Sequence, residues 1–145
     1  MSIFGAMDIS ATGMTAQQTR MDTISQNIAN VNTTRDGKGN IYRRKTVLFE
    51  EKSYPTFSES LALANGRIGK GVKVSKIVED PSEGNMVYDP SHPDANEDGY
   101  VTYPNVNTVT EMTNMIDATR AYEANVTVLN STKGMAMRAL NIGQS

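Results

Sequence analysis

Six residues offer the most specific chemistry in the chain. Asp94-Ala95-Asn96-Glu97-Asp98-Gly99 sets oxygen donors at alternate positions ahead of a glycine, as in the opening of a calcium loop, where such oxygens wrap a hard cation. The pattern then fails. The twelfth position, which should be a bidentate Glu, is Asn105; Pro90 and Pro93 stand where an entering helix would run, and β-prone Tyr100-Val101 follows Gly99. A hairpin turn is the ordinary use of such a run. His92, the only histidine, lies between Ser91 and Pro93 with no neighbouring His or Cys to share a zinc ion, and reads as an exposed loop residue. With one histidine and no cysteine, a His/Cys nucleophilic pair is impossible, and no G-x-S-x-G elbow is present. Gly66-Arg67-Ile68-Gly69-Lys70-Gly71 is glycine-rich and basic but matches neither the P-loop nor the dinucleotide fingerprint, and reads as a flexible turn before a strand at Val72. The Asn-x-Ser/Thr triplets at Asn32, Asn125 and Asn130 are treated as accidental, two of them falling inside an expected helix. No catalytic residue, metal or cofactor is therefore expected, and the chain reads as a non-enzyme.

The elements that would hold these residues are more informative. The chain of 145 residues, 38% hydrophobic, suffices for one modest core. Lys plus Arg total 14 against 16 for Asp plus Glu, which gives no reason to expect nucleic acid. The absence of cysteine leaves the redox compartment open. No stretch approaches the ~20 apolar residues that span a bilayer, so direct membrane insertion is not expected. The first basic residue is Arg20, and Asp8 interrupts the apolar start, which is the reverse of a cleaved signal peptide.

Charge divides the chain into three. Residues 1–31 carry only Asp8, Arg20 and Asp22, residues 108–145 carry six charged side chains, and the other 21 lie in 32–107. Both ends read as helices. In the first, over 3–31, Met7, Met14, Met21 and Ile28 recur every seven residues, with Ile3, Ile24 and Val31 on the adjoining track and polar Ser10 and Gln17 interrupting it. In the second, over 108–141, Met112, Val126 and Leu140 mark one track, and Met115, Tyr122, Leu129 and Ala136 another. Thr108 followed by Glu111 matches a capping box, and Gly143 is a plausible end.

Helices of those lengths would measure roughly 43 and 50 Å. A compact chain of this size is only about 40 Å across, so an extended helical pair is the better reading. The residues around the stripes are mostly Thr, Asn, Gln, Ser and Ala, whereas solvent-exposed helices usually carry Glu–Lys pairs. Sparse charge implies that several faces are covered, and other copies of the chain are the natural cover. Seven of the nine methionines lie in the two helices, where a thioether adapts to non-identical neighbours or fills an intramolecular core. Gly5, Gly13 and Gly134 permit close backbone approach or mark bends.

The middle third has a different period. Gly71 to Val78 alternates over its first half, Ile41 to Phe49 is β-prone, and Met86-Val87-Tyr88 and Tyr100 to Tyr103 are short strand candidates between Gly, Pro, Asn and Asp clusters. No element is assigned to residues 50–70. The fold class is α+β: long terminal helices paired as an antiparallel coiled-coil-like hairpin with a small β-rich middle. The expected boundaries are 1–34, 35–106 and 107–145.

Ser25-Gln26-Asn27-Ile28-Ala29-Asn30-Val31-Asn32-Thr33, closing the first helix, resembles the N-terminal signature of the flagellar rod and hook axial proteins. Its short amides can cap a helix C-terminus and tolerate left-handed backbone. Many members run directly into Gly-Tyr-Lys or Gly-Tyr-Arg, whereas here Thr34 to Asn40 intervenes before Ile41-Tyr42-Arg43-Arg44-Lys45, a departure similar to the proximal rod members. Asp89 to Ala95, Gly99-Tyr100-Val101, Pro104 to Asn107, and Glu111-Met112 through Arg120-Ala121-Tyr122-Glu123-Ala124-Asn125 are similar to the same group. The similarity covers nearly the whole chain, weakest over 50–70.

The resemblance implies a structural subunit of the basal-body rod across the periplasm, exported without cleavage through the flagellar type III apparatus. It implies helical polymerisation with copies of itself and other rod proteins, beside basal-body adaptor components. The terminal helices would form an inner tube around the export channel, and the hollow shaft would transmit torque. Assembly residues expected on this basis are Ser25, Asn27, Ile28, Ala29, Asn30, Asn32 and Thr33 of the signature. Along the helix seams they are Met7, Met14, Met21, Ile24, Met112, Met115, Tyr122, Val126, Leu129 and Leu140. The alternatives are another rod subunit, a secreted calcium-binding module and an enzyme acting on cell-wall material.

Overall fold

A computed structural model describes residues 3–35, 37, 39–53, 57–64 and 71–142. Helix α1 spans Ile3–Ala29. It contains no proline, and its threonines, poor helix formers in isolation, return their hydroxyls to the helix itself. Thr15, Thr19 and Thr23 donate to the carbonyls of Ala11, Thr15 and Thr19 at 2.9–3.1 Å. The signature asparagines end it: Asn30 Nδ2 donates to Gln26 O (2.8 Å), and Thr33 N donates to Asn30 O (3.0 Å). No described residue other than glycine has positive φ, so this end is closed without the left-handed conformation that asparagine permits.

Two antiparallel strand pairs follow, not one continuous sheet. Strand β1, Lys45–Glu51, pairs with β2, Val72–Glu79, with a bulge between Leu48 and Phe49. Strand β3, Asn85–Tyr88, pairs with β4, Tyr100–Tyr103, where Tyr88 and Tyr100 face each other edge-on at 5.3 Å between ring centroids. The β-prone run from Ile41 becomes a strand only at Lys45, because the Arg44 amide donates to the Asn105 side chain instead of a ladder partner. In the β1–β2 connection, where no element was expected, lies a short helix, α2, Phe57–Ala64. The glycine-rich turn expected at 66–71 lies outside the described residues except for Gly71.

The β1–β2 arm lies along α1. Lys45, at one end of β1, meets Asn27 near the C-terminus of α1, and the Val72 amide at the start of β2 donates to Thr12 Oγ1 (3.3 Å). Fifteen helical residues rise about 22 Å and seven strand residues about 23 Å, so helix and arm match in length.

Helix α3 spans Thr108–Ile142. Its cap is Asn107, whose Oδ1 accepts from the Thr110 amide (3.1 Å) and whose carbonyl accepts from the Glu111 amide (2.9 Å). The Thr108–Glu111 capping box is therefore corrected: Glu111 turns away from the helix end and is fully buried. The end expected at Gly143 lies outside the described residues. Among the described helices and strands α3 packs against α1 alone. Asn27 bonds Glu111, Thr119 Oγ1 lies 3.6 Å from Met21 Sδ, and Asn125 lies over Gly13. A β-carbon added to Gly13 would come within 2.9 Å of Asn125 Oδ1, so this glycine is where the two backbones approach closely. Gly134, by contrast, faces open space.

Candidate functional site

The buried centre is small and half polar. Ala16, Ile24, Val101, Val106 and Ala118 share it with Ser10, Thr23, Asn27, Glu111 and Thr132. An amide and a carboxylate at zero exposure must find partners or cost the chain several kcal/mol. Both do.

Asn27, in the last turn of α1, uses its whole side-chain amide. Nδ2 donates to the Lys45 carbonyl (2.8 Å) and to Glu111 Oε2 (2.9 Å), while Oδ1 accepts from the Lys45 amide and the Tyr42 hydroxyl (both 2.9 Å). Two donors and two lone pairs are the full inventory of that group. The other carboxylate oxygen, Glu111 Oε1, receives Arg44 Nε and Nη2, each at 2.8 Å. That ion pair is charge-assisted, with Glu111 buried and Arg44 about a quarter exposed.

Around this centre a second ring closes. Asn105 Oδ1 accepts from the Arg44 amide (2.8 Å), and its Nδ2 lies within reach of the Ser82 hydroxyl (2.8 Å) and carbonyl (3.2 Å). The Asp80 amide donates to the Arg44 carbonyl (2.8 Å). Asp80 Oδ1 in turn accepts from the Ser82 hydroxyl and amide, which with the Arg44 and Arg43 charges hold its carboxyl below the usual carboxylate range. Burial, then the charges of Glu111 and Glu79, push the Tyr42 phenol upward. The hub thus ties both long helices to the arm and to the connection before α3.

The Asp94 run is committed elsewhere. Asp94 accepts from Thr34 Oγ1 (2.7 Å) and pairs with Arg35 Nε (2.8 Å), while Asn96 Oδ1 accepts from the amides of Asp98 and Tyr100. His92 is half-buried, not exposed as expected: its Nδ1 accepts from the Asp94 amide, and its ring meets Tyr103 edge-on.

Of the signature residues, Asn27 enters the hub, Asn30 and Thr33 close the helix, Ile28 is half-buried, and Ser25, Ala29 and Asn32 are exposed. Of the seam residues, Ile24 is buried, and Met7, Met14, Met21, Met115, Tyr122, Val126 and Leu129 are half-buried. Met112 and Leu140 are exposed, at 57% and 66%. The least exposed row of α3 is Glu111, Ala118 and Thr132, with Asn125 half-buried between them, one position before the row of Met112. Close approach explains the difference: small side chains occupy the centre, and the long methionines lie beside it. Sequence reasoning gave Tyr42, Arg44 and Glu111 no such role, and saw Asn105 as a failed calcium ligand and as part of the run that resembles the rod family. The seven-residue spacing of Glu111, Ala118, Asn125 and Thr132 was the available signal.

The two halves of the hub fall in regions with recognisable relatives. Residues 7–35, which include Asn27, match the family model described as flagella basal body rod protein. Residues 97–142, which include Asn105 and Glu111, match the model for the C-terminal part of flagellar basal body rod FlgEFG proteins. The chain belongs to the flagellar basal-body rod protein family. Relatives that it matches end to end carry the name flagellar basal-body rod protein FlgC. That of Bacillus subtilis strain 168 is 49% identical over 99% of this chain and 100% of its own length. That of Borreliella burgdorferi is 46% identical over 99% of each, and that of Escherichia coli O157:H7 is 36% identical over 99% of this chain and 100% of its own.

Proposed function

We propose that the chain is a structural subunit of the flagellar basal-body rod, polymerising helically through its terminal helices into a hollow shaft that surrounds the export channel and transmits torque. One observation carries this reading beyond the family relationship. Helix α3 packs against α1 alone among the described elements, yet Val109, Met112, Ile116, Val128, Met135 and Ile142 each remain more than half exposed. A lone subunit would gain by covering them.

The polar residues between them favour the same conclusion. Thr113, Thr119, Thr127 and Thr132 donate to the carbonyls of Val109, Met115, Glu123 and Val128 at 2.8–3.0 Å. Hydroxyls already satisfied by their own helix lose little when water is removed. The falling partner numbers along α1 support antiparallel, coiled-coil-like pairing of the helices: Gly13 with Asn125, Met21 with Thr119, Asn27 with Glu111. In this reading residues 1–34 and 107–145 are the axial parts and 35–106 the outer part. The half-buried methionines and the exposed signature residues Ser25, Ala29 and Asn32 meet neighbouring copies, other rod proteins and adaptor components. Delivery is by the flagellar type III apparatus without cleavage.

The test is a deletion strain complemented with the intact gene and scored for motility, with electron microscopy of purified basal bodies. Loss of a completed rod, restored by complementation, is expected; motile cells with complete rods would sink the proposal.

A further inference from the structure

The hub has a directional property. Asn27, Tyr42 and Lys45 join α1 to the base of the arm without help from α3, but one donor of Asn27 and the inner face of Arg44 are completed only by Glu111. Among the described elements the backbone of α3 comes close to no strand. We infer that docking of α3 locks the β1–β2 arm against α1, with Glu111 as the latch: the arm reads, through a single carboxylate, whether the carboxy-terminal helix is in place.

Physical asymmetry supports this assignment. Without α3, Arg44 stays solvated and Asn27 Nδ2 finds water, so an undocked arm is tolerated. With α3 docked but Arg44 swung out, Glu111 would be a buried charge without its counterion, which is the expensive state. The arm is therefore held to α1 by Asn27 and Thr12 alone before docking and locked at its base after it. Asn105 and Asp80 carry the constraint onward, because the Arg44 backbone is clamped between the Asn105 side chain and the Asp80 amide, at the far ends of β4 and β2. The inference concerns the single chain and stands apart from any role in polymerisation.

Site-resolved amide hydrogen exchange on the full-length chain tests it, comparing the native sequence with Glu111→Gln and, should that variant not fold, Arg44→Lys. The amides read are Lys45, which donates to Asn27, and Lys52, which donates to Gly71 at the other end of the arm. Removing the Glu111 charge, or replacing the two guanidinium donors of Arg44 by a single ammonium, is expected to speed their exchange about tenfold or more, since bonds to charged groups are the stronger ones. The amides from Ala118 to Thr132 should keep their protection. Unchanged exchange in the arm, or equal acceleration in arm and helix, would overturn the latch.

Discussion

The Asn27 amide nitrogen donates to Glu111 Oε2 at 2.9 Å across 84 residues of sequence, and both side chains are fully buried. A bond at that separation joins the last turn of α1 directly to the first turn of α3. Because Asn27 also holds both backbone groups of Lys45, the same side chain registers α1 against β1. Changes here should therefore be felt in all three segments at once.

Asn27→Asp is nearly isosteric, but it replaces the two N–H donors by an acceptor and adds a negative charge. The new carboxylate would face Glu111 Oε2 and the Lys45 carbonyl with lone pairs where N–H groups now point. A loss of about 3 kcal/mol or more in urea unfolding is expected, as for a buried charge left without its partner.

Two of the helical glycines, Gly13 and Gly134, separate close approach from empty space. Gly134→Ala should stabilise the chain by up to about 1 kcal/mol, the ordinary gain of alanine over glycine in a helix. Gly13→Ala should forfeit that gain, because its β-carbon would displace the Asn125 amide that donates to the Ala121 carbonyl. Thermal unfolding of both variants, followed by circular dichroism, checks the contrast.

Tyr42 makes the fold sensitive to alkali. Its phenol is raised above 10.0 by burial and then by Glu111 and Glu79, so the folded chain holds the proton longer than the unfolded one. Below pH 10 both states are protonated and the contribution is complete; as pH climbs past the unfolded value, the unfolded chain ionises first and stability falls until the folded value is passed. Tyr42→Phe should flatten that alkaline decline, at the cost of about 1 kcal/mol at neutral pH for the lost bond to Asn27. Unfolding free energies measured from pH 8 to 11 decide it.

Charge on the outer side of α3 should separate folding from assembly. Met14 and Val126 are half-buried, so a Glu at either would disturb the subunit as well as its neighbours. Val128 and Met135 are more than half exposed, and Val128→Glu or Met135→Glu should leave helix content unchanged while abolishing motility in the complemented deletion strain. Normal swimming would argue that this face is never covered.

Much of the architecture was legible in the sequence because it rests on local rules. Charge depletion and heptad spacing located α1 and α3, and β-branched and aromatic runs located β1 to β4. The hub was not legible. Asn27 looked like a helix-capping asparagine among others of its kind, and Glu111 looked like a capping carboxylate, since three residues of spacing carry no information about direction. Their true partners lie in segments that only the tertiary fold brings together. On α3 the least exposed row lies one position before Met112, because in a pair this close the small Ala118 and Thr132 fit where a long methionine does not.

Thr15 and Thr19 of α1 and Thr113 and Thr127 of α3 are exposed and return their hydroxyls to their own helices, which would shape how such surfaces behave under load in the proposed assembly. A face whose polar groups seek nothing from the other side grips by shape and dispersion alone, with no partner atom to which it must return. Two such faces can slip by a fraction of an ångström, or roll slightly, without rupturing a directional bond. In the assembly proposed above, stiffness against twist would come from the buried charge-paired hub inside each subunit, and compliance to bending from the joints between them.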